Sequence, residues 1–139
     1  MKKKQPTLDD VLLFRMKQLI EPNGTLMPVE LNDEIPFEVK RTFFVTDVPD
    51  TNPRGMHSHY QAKQLIICLR GSIDVKLHDG KNEKIYEVTQ GESIYIPNLI
   101  WDEQVYNSKD TILVSLCSTH YNTEDYIHDF EEFKKIKNG

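Results

Sequence analysis

The chain has 139 residues, 38% of them hydrophobic and 28% charged, and 17 basic against 22 acidic residues give a formal net charge of −5. That balance fits a single globular domain, 1–139, and argues against general nucleic-acid binding, which needs clustered Lys and Arg. No run approaches the ~20 apolar residues of a membrane helix, and the basic start Met1-Lys2-Lys3-Lys4 leads into no apolar signal-peptide core, so the expectation is a cytoplasmic protein without a membrane segment. The first segment, Leu8–Ile20, fits two patterns: Thr7 or Asp9 suits a helix cap, while Leu12, Phe14 and Met16 have the period of a strand. Glu21-Pro22-Asn23-Gly24 then signals a turn.

Short runs rich in Val, Ile, Phe and Tyr follow, split by turn residues. They predict strands near Leu26–Glu30, Phe37–Val45, Lys63–Leu69, Ser72–His78, Lys84–Val88, Ser93–Ile96, Trp101–Tyr106 and Thr111–Cys117. Asp79-Gly80 is the strongest hairpin signal. Many short strands at even spacing predict an all-β barrel or sandwich. Cys68 and Cys117 each sit in an apolar run and read as reduced, buried side chains. In the tail, Tyr126, Ile127, Phe130, Phe133 and Ile136 recur at helical spacing, which predicts a helix from Thr123, its N-cap, to Lys137.

The segment Arg54-Gly55-Met56-His57-Ser58-His59 carries the chemistry. Residues i and i+2 of a strand share a face, so His57 and His59 project together, which suits a metal site or acid–base chemistry. For an isolated pair, two rim histidines are an equally good account. The spacing around the pair shifts the balance. Gln64 follows His59 after four residues, and Gly71 comes six residues later. Further on stand Gly91, Pro97, Asn98, Leu99 and Asp102. Both stretches resemble in spacing the two motifs of cupin barrels, which implies a cupin (double-stranded β-helix or jelly-roll) barrel with a C-terminal helix.

A metal-binding cupin offers two His, a Glu and a further His; this chain offers His57, His59, Gln64 and Asp102. His57, His59 and Asp102 formally make a two-His-one-carboxylate set. Gln64, however, is a weak neutral donor where a cation favours a carboxylate. The preferred reading is a metal-free pocket in which Asp102 orients an imidazole or relays a proton. Arg54 and Arg41 are the phosphate candidates, because a guanidinium binds phosphate in a fork. Gln64 and Trp101 complete the substrate-binding candidates, although a lone Trp in a strand is more often core.

Beyond the motifs, Arg54–His59, Gln64–Gly71, Tyr95–Trp101, Ile35–Arg41 and the tail Tyr121–Ile127 resemble the sugar 3,4-ketoisomerases of the WxcM-like cupin family. The resemblance implies a metal-free homodimer acting on a dTDP-linked keto-deoxysugar, dTDP-4-keto-6-deoxy-D-glucose. It would move the carbonyl from C4 to C3 without a cofactor, toward 3-amino-3,6-dideoxy sugars of surface polysaccharide. Three positions depart from the family pattern: Asp102 stands in place of a third active-site His, Phe43 and Phe44 where Tyr is common, and Asn23 in place of Arg. Two alternatives remain, a dTDP-4-keto-6-deoxyglucose 3,5-epimerase and a non-catalytic sugar-sensing cupin.

Overall fold

A computed structural model describes residues 4–31 and 35–139. Its first sheet contains β1 (Leu12–Arg15), β4 (Arg41–Val45), β6 (Gln64–Arg70), β9 (Glu92–Ile96) and β11 (Ile112–Cys117), in the order β1-β9-β6-β11-β4. The second contains β5 (Arg54–His59), β7 (Ser72–His78), β8 (Glu83–Thr89), β10 (Trp101–Tyr106) and β12 (Tyr126–Ile127), in the order β12-β5-β10-β7-β8. The sheets face each other as separate layers and do not close into a continuous barrel, which is the jelly-roll form of the expected all-β cupin fold.

The strand periodicity explains the layers. In β7 Ile73, Val75 and Leu77 are buried, while the intervening Ser72, Asp74, Lys76 and His78 are only half-buried. The buried set meets Ile66, Cys68, Ile94 and Leu113 of the opposite sheet in the central core. A second cluster covers the first sheet's outer face, where Met27, Val29, Ile35, Phe37 and Val39 pack on Leu65, Ile67 and Leu116. A third lies outside the second sheet. There α1 (Phe130–Asn138) sets Phe133, fully buried, against Trp101 and Ile127. Burying a side chain of that size stabilises by roughly 1.5–3 kcal/mol.

Most strands lie where the sequence places them; three segments do not, and a fourth settles an open choice. Leu8–Ile20 resolves into both of its alternatives: a 3-10 turn, Leu8–Asp10, capped by Thr7, then β1. The strand expected at Leu26–Glu30 is instead the end of a hairpin, β2 (Leu19–Glu21) with β3 (Gly24–Leu26). Met27 and Val29 are apolar because they cover the first sheet's outer face. The run Phe37–Val45 is strand only from Arg41, since Phe37 and Val39 serve the same cover.

The tail is the largest correction. Thr123–Asp125 is a 3-10 turn capped by Asn122, Tyr126–Ile127 is β12, and α1 begins only after Asp129, whose carboxylate accepts from the amides of Glu131 and Glu132. Helical spacing there was satisfied by packing on Trp101, but Tyr126 and Ile127 find strand partners in His59 and Ser58, and a sheet ladder displaces the first helical turn. Cys68 and Cys117 are free and buried, as expected. No helix among the described residues is long and apolar enough to cross a membrane.

Candidate active site

Register assigns side chains to faces. On β10 the alternate residues Asp102, Gln104 and Tyr106 are buried toward the interior, while Trp101 belongs to the cluster under α1. Asp102 pairs with His57, and Tyr126 pairs with His59. Directly paired residues share a face, so His57, His59, Asp102 and Tyr126 all project between the sheets. The His57 and His59 rings meet edge to face, their centroids 4.9 Å apart. Tyr126 wedges against both, 4.5 Å from His59 and 5.3 Å from His57, and His128 stacks on Tyr126 at 5.5 Å.

Arg54 reaches this face through an irregularity. Three residues separate it from His57, which by simple alternation puts it on the opposite side. A bulge at Met56, with φ 53°, shifts the register so that Arg54 pairs with Gln104. Gly55 makes the bulge feasible: its φ is +83°, and a Cβ there would stand 3.1 Å from the Asp102 carbonyl oxygen. Arg54 is exposed, at the rim, close enough to Tyr106 for its charge to act on the hydroxyl. Arg41 lies across from it on β4, its guanidinium 5.6 Å from the Tyr121 ring and 5.7 Å from the Phe43 ring. Gln64 is buried at the start of β6, also beneath this end.

By register His57, His59, Asp102, Arg54, Arg41 and Gln64 lie on the interior face, and Trp101 does not. That side chain lies on the outer face, packed on Phe130 and Phe133, with its indole N–H donating to Glu103 at 3.1 Å. As the strand neighbour of Asp102, it has to point the other way. Trp101 is therefore a core residue and leaves the substrate-binding set. The expected role of Asp102 also changes. Its Oδ2 accepts from Gln104 Nε2 at 2.8 Å, Gln104 Oε1 in turn accepts from the Tyr106 hydroxyl at 3.0 Å, and neither histidine bonds to it. The carboxylate that does touch a site histidine is Asp125, whose Oδ2 lies 3.3 Å from His59 Nδ1. Asp125, Tyr126 and His128 were missed because the tail reads as helix; the one signal was the likeness of Tyr121–Ile127 to a known family.

The electrostatics suit proton transfer. Burial lowers the pKa of His57, aided by the nearby His128 and opposed by the Gly55 carbonyl. His59 is pushed down to about 4 by burial and by His57, with Asp125 pulling the other way. Both shifts favour the neutral ring, the form that can accept a proton. Burial drives the Asp102 carboxyl up to about 7, against the Gln104 hydrogen bond. Among the described residues, four buried side-chain atoms have no hydrogen-bond partner, and Arg41 Nε, His59 Nε2 and Asp102 Oδ1 all belong to this face. Buried polar atoms normally find partners; three orphans on one face mark a place built for a polar ligand. Two open concavities of about 770 and 750 Å³ lie alongside, both including Tyr60 and Gln61 and neither including the two histidines. Among the described residues no group of three or more His, Cys, Asp or Glu is arranged to hold a metal ion.

A jelly roll with two imidazoles, a high-pKa carboxyl and arginines at one open end defines a cupin of the acid–base type. The family model described as FdtA, WxcM-like, C-terminal, matches residues 9–138, and the chain belongs to that family. It is 34% identical over 126 residues to the TDP-4-oxo-6-deoxy-alpha-D-glucose-3,4-oxoisomerase of Aneurinibacillus thermoaerophilus, covering 88% of this chain and 89% of that one. A histidine-to-asparagine mutant of the 3,4-ketoisomerase QdtA from Thermoanaerobacterium thermosaccharolyticum, solved with TDP-4-keto-6-deoxyglucose, superposes with a TM-score of 0.89 at 32% identity, over 95% of this chain and 96% of that one. The dTDP-4-dehydrorhamnose 3,5-epimerase of Bacillus anthracis shares the fold, at TM-score 0.77 over 90% of this chain and 81% of that one, but at only 12% identity. The ketoisomerase reading is therefore the better supported, and the epimerase likeness extends to the fold alone.

Proposed function

We propose that the chain is a 3,4-ketoisomerase acting on TDP-4-keto-6-deoxyglucose. The observation that carries this reading is the pair of imidazoles, edge to face on the interior of the sheet, with Arg54 and Arg41 on the same face to suit a diphosphate. The C4 ketone acidifies the hydrogen on C3. One imidazole removes that proton and leaves an enediolate. Return of a proton to C4, with transfer from O3 to O4, leaves the carbonyl at C3. One group must serve carbon and another must serve oxygen, and His57, His59 and Asp102 are the candidates. Arg54 and Arg41 hold the diphosphate and Gln64 lines the sugar site. The same proposal takes residues 1–139 as one domain and the cytoplasm as its location.

NMR of TDP-4-keto-6-deoxyglucose incubated with the protein in deuterated water tests the reaction. The expected result is a 3-keto sugar with deuterium at C4, produced equally well after exhaustive chelation. Epimerisation at C5, or activity lost to the chelator and restored by one divalent metal, would replace this reading.

A homodimer belongs to the same proposal. The β2–β3 hairpin pairs with neither large sheet and exposes Leu19, Ile20 and Leu26, Ile20 to 76%. A strip of that kind is protected by a second copy of the chain. A monomer mass by light scattering at micromolar concentration would remove this part.

The Asp102 carboxyl sets an expected pH dependence. With its pKa raised to about 7, it is protonated in the folded protein below that pH and ionises above it. As a proton carrier to oxygen, it loses its proton as pH rises through about 7, so kcat/KM falls on the basic side there. The acid limb, from the two histidines, lies below the usual imidazole range because both are lowered. Asp102→Asn, which does not titrate, is expected to lose the basic limb and keep the acid one. A basic limb that persists unchanged in Asp102→Asn assigns it elsewhere.

A further inference from the structure

We infer that Asp125 is a positioning residue that holds His59 as its Nδ1–H tautomer, so that the bare Nε2 is the nitrogen presented to substrate. The inference deepens the isomerase reading and rests on it for the word substrate alone.

Three donors surround the Asp125 carboxylate. Oδ1 accepts from the Gln61 amide at 2.8 Å; Oδ2 accepts from the Ala62 amide at 3.2 Å and faces His59 Nδ1 at 3.3 Å. An ionised carboxylate only accepts. A bare Nδ1 opposite it would set two lone pairs against each other in a site where both side chains are about nine-tenths buried. Nδ1 therefore carries the proton, and on a neutral ring Nε2 has none. That Nε2 is buried and unpartnered, beside His57 and Tyr126 and on the face that Arg41 also lines. His57 obeys the same logic by a different route: its Nδ1 lies 2.9 Å from the Gly55 carbonyl oxygen, which also only accepts. Both imidazoles thus keep Nε2 as the basic nitrogen, one backed by the main chain and the other by a carboxylate from the tail. A histidine's working nitrogen is set by the partner of the other one.

The backing carboxylate comes from the turn before β12, which the Tyr60 amide ties down by donating to the Asp125 carbonyl at 2.9 Å. The tail is therefore part of the catalytic end and does more than cover a sheet.

Side-chain ¹H–¹⁵N correlation spectra of labelled protein near neutral pH read the tautomer without substrate, with His59 assigned by its absence in His59→Asn. The expected spectrum has His59 protonated at Nδ1 and bare at Nε2. Asp125→Asn is expected to lose that single tautomer and to lower kcat about tenfold to a hundredfold, less than or at the lower end of the ~10²–10⁴-fold that a general base itself contributes. KM should change little, and Asp125→Glu should recover part of the rate. A bare Nδ1 in the unaltered protein, or full kcat in a folded Asp125→Asn, overturns the inference. If Asp125→Asn does not fold, the spectrum of the unaltered protein and the Asp125→Glu rate decide it. Failure of the unaltered protein to move the ketone would sink the isomerase reading while leaving the spectrum to be judged by itself.

Discussion

His57→Asn and His59→Asn are each expected to lower kcat by about 10²–10⁴-fold, the usual contribution of a general acid or base, with the fold retained. In barrier terms that is about 3–5 kcal/mol, at 1.36 kcal/mol per tenfold. The magnitude follows from the lack of a substitute. The nearest other imidazole, His128, has its ring centroid 6.4 Å from that of His57 and stacks on Tyr126. Tyr126 lies against both His128 and His59. Asn fills part of the ring's space and still hydrogen-bonds, but it cannot take up a proton, so the loss reports proton transfer and not packing. His57 is only partly buried and its backing partner is main chain, so its replacement should barely move the melting temperature. His59 is buried between Tyr126 and Asp125, and its replacement should cost some stability as well. Steady-state kinetics with circular dichroism as the folding control gives the answer. Near-normal kcat in both variants would remove the histidines from the chemistry.

Arg54→Ala is expected to weaken TDP binding about ten- to a hundredfold, since hydrogen bonds to a charged group contribute roughly 1.5–3 kcal/mol. A net charge of −5 gives a diphosphate no long-range attraction, so affinity has to come from local donors. Arg54 is exposed at the rim, on the interior face, and paired with Gln104 across the bulge. Its charge opposes the rise that burial imposes on the Tyr106 hydroxyl, which lies on the same face. Arg54→Lys keeps the charge but loses the fork, and should recover only part of the affinity. Calorimetry with TDP on the folded variants is the measurement. Unchanged affinity in Arg54→Ala would leave Arg54 a role in holding the bulge only, and would pass the diphosphate to Arg41.

Much of this protein was legible before any coordinates. Period-2 runs split by Gly, Asp and Asn specify strands because alternation and turn chemistry are local properties. β7 and β10 accordingly fall at their expected residues, Ser72–His78 and Trp101–Tyr106. The shared face of His57 and His59 follows from the same local rule, and the spacing to Gln64 and Asp102 was enough to suggest a cupin. What failed locally were segments whose apolar residues serve something distant. Met27, Val29, Phe37 and Val39 look like strand and are a cover on the first sheet. Tyr126 and Ile127 look like a helix face and are a strand, because β5 offers them a free edge.

The site's chemistry divides along the same line. The sequence by itself determined the residue types available for acid–base work and the scarcity of arginine. Tertiary structure decided which of them meet. It turned Trp101 outward through strict alternation beside Asp102, and turned Arg54 inward through a bulge that alternation does not foresee. It gave Asp102 to Gln104, and gave His59 a carboxylate 66 positions away in the chain. A partner at that separation leaves no periodic trace, because only the sheet that joins β12 to β5 brings it within reach.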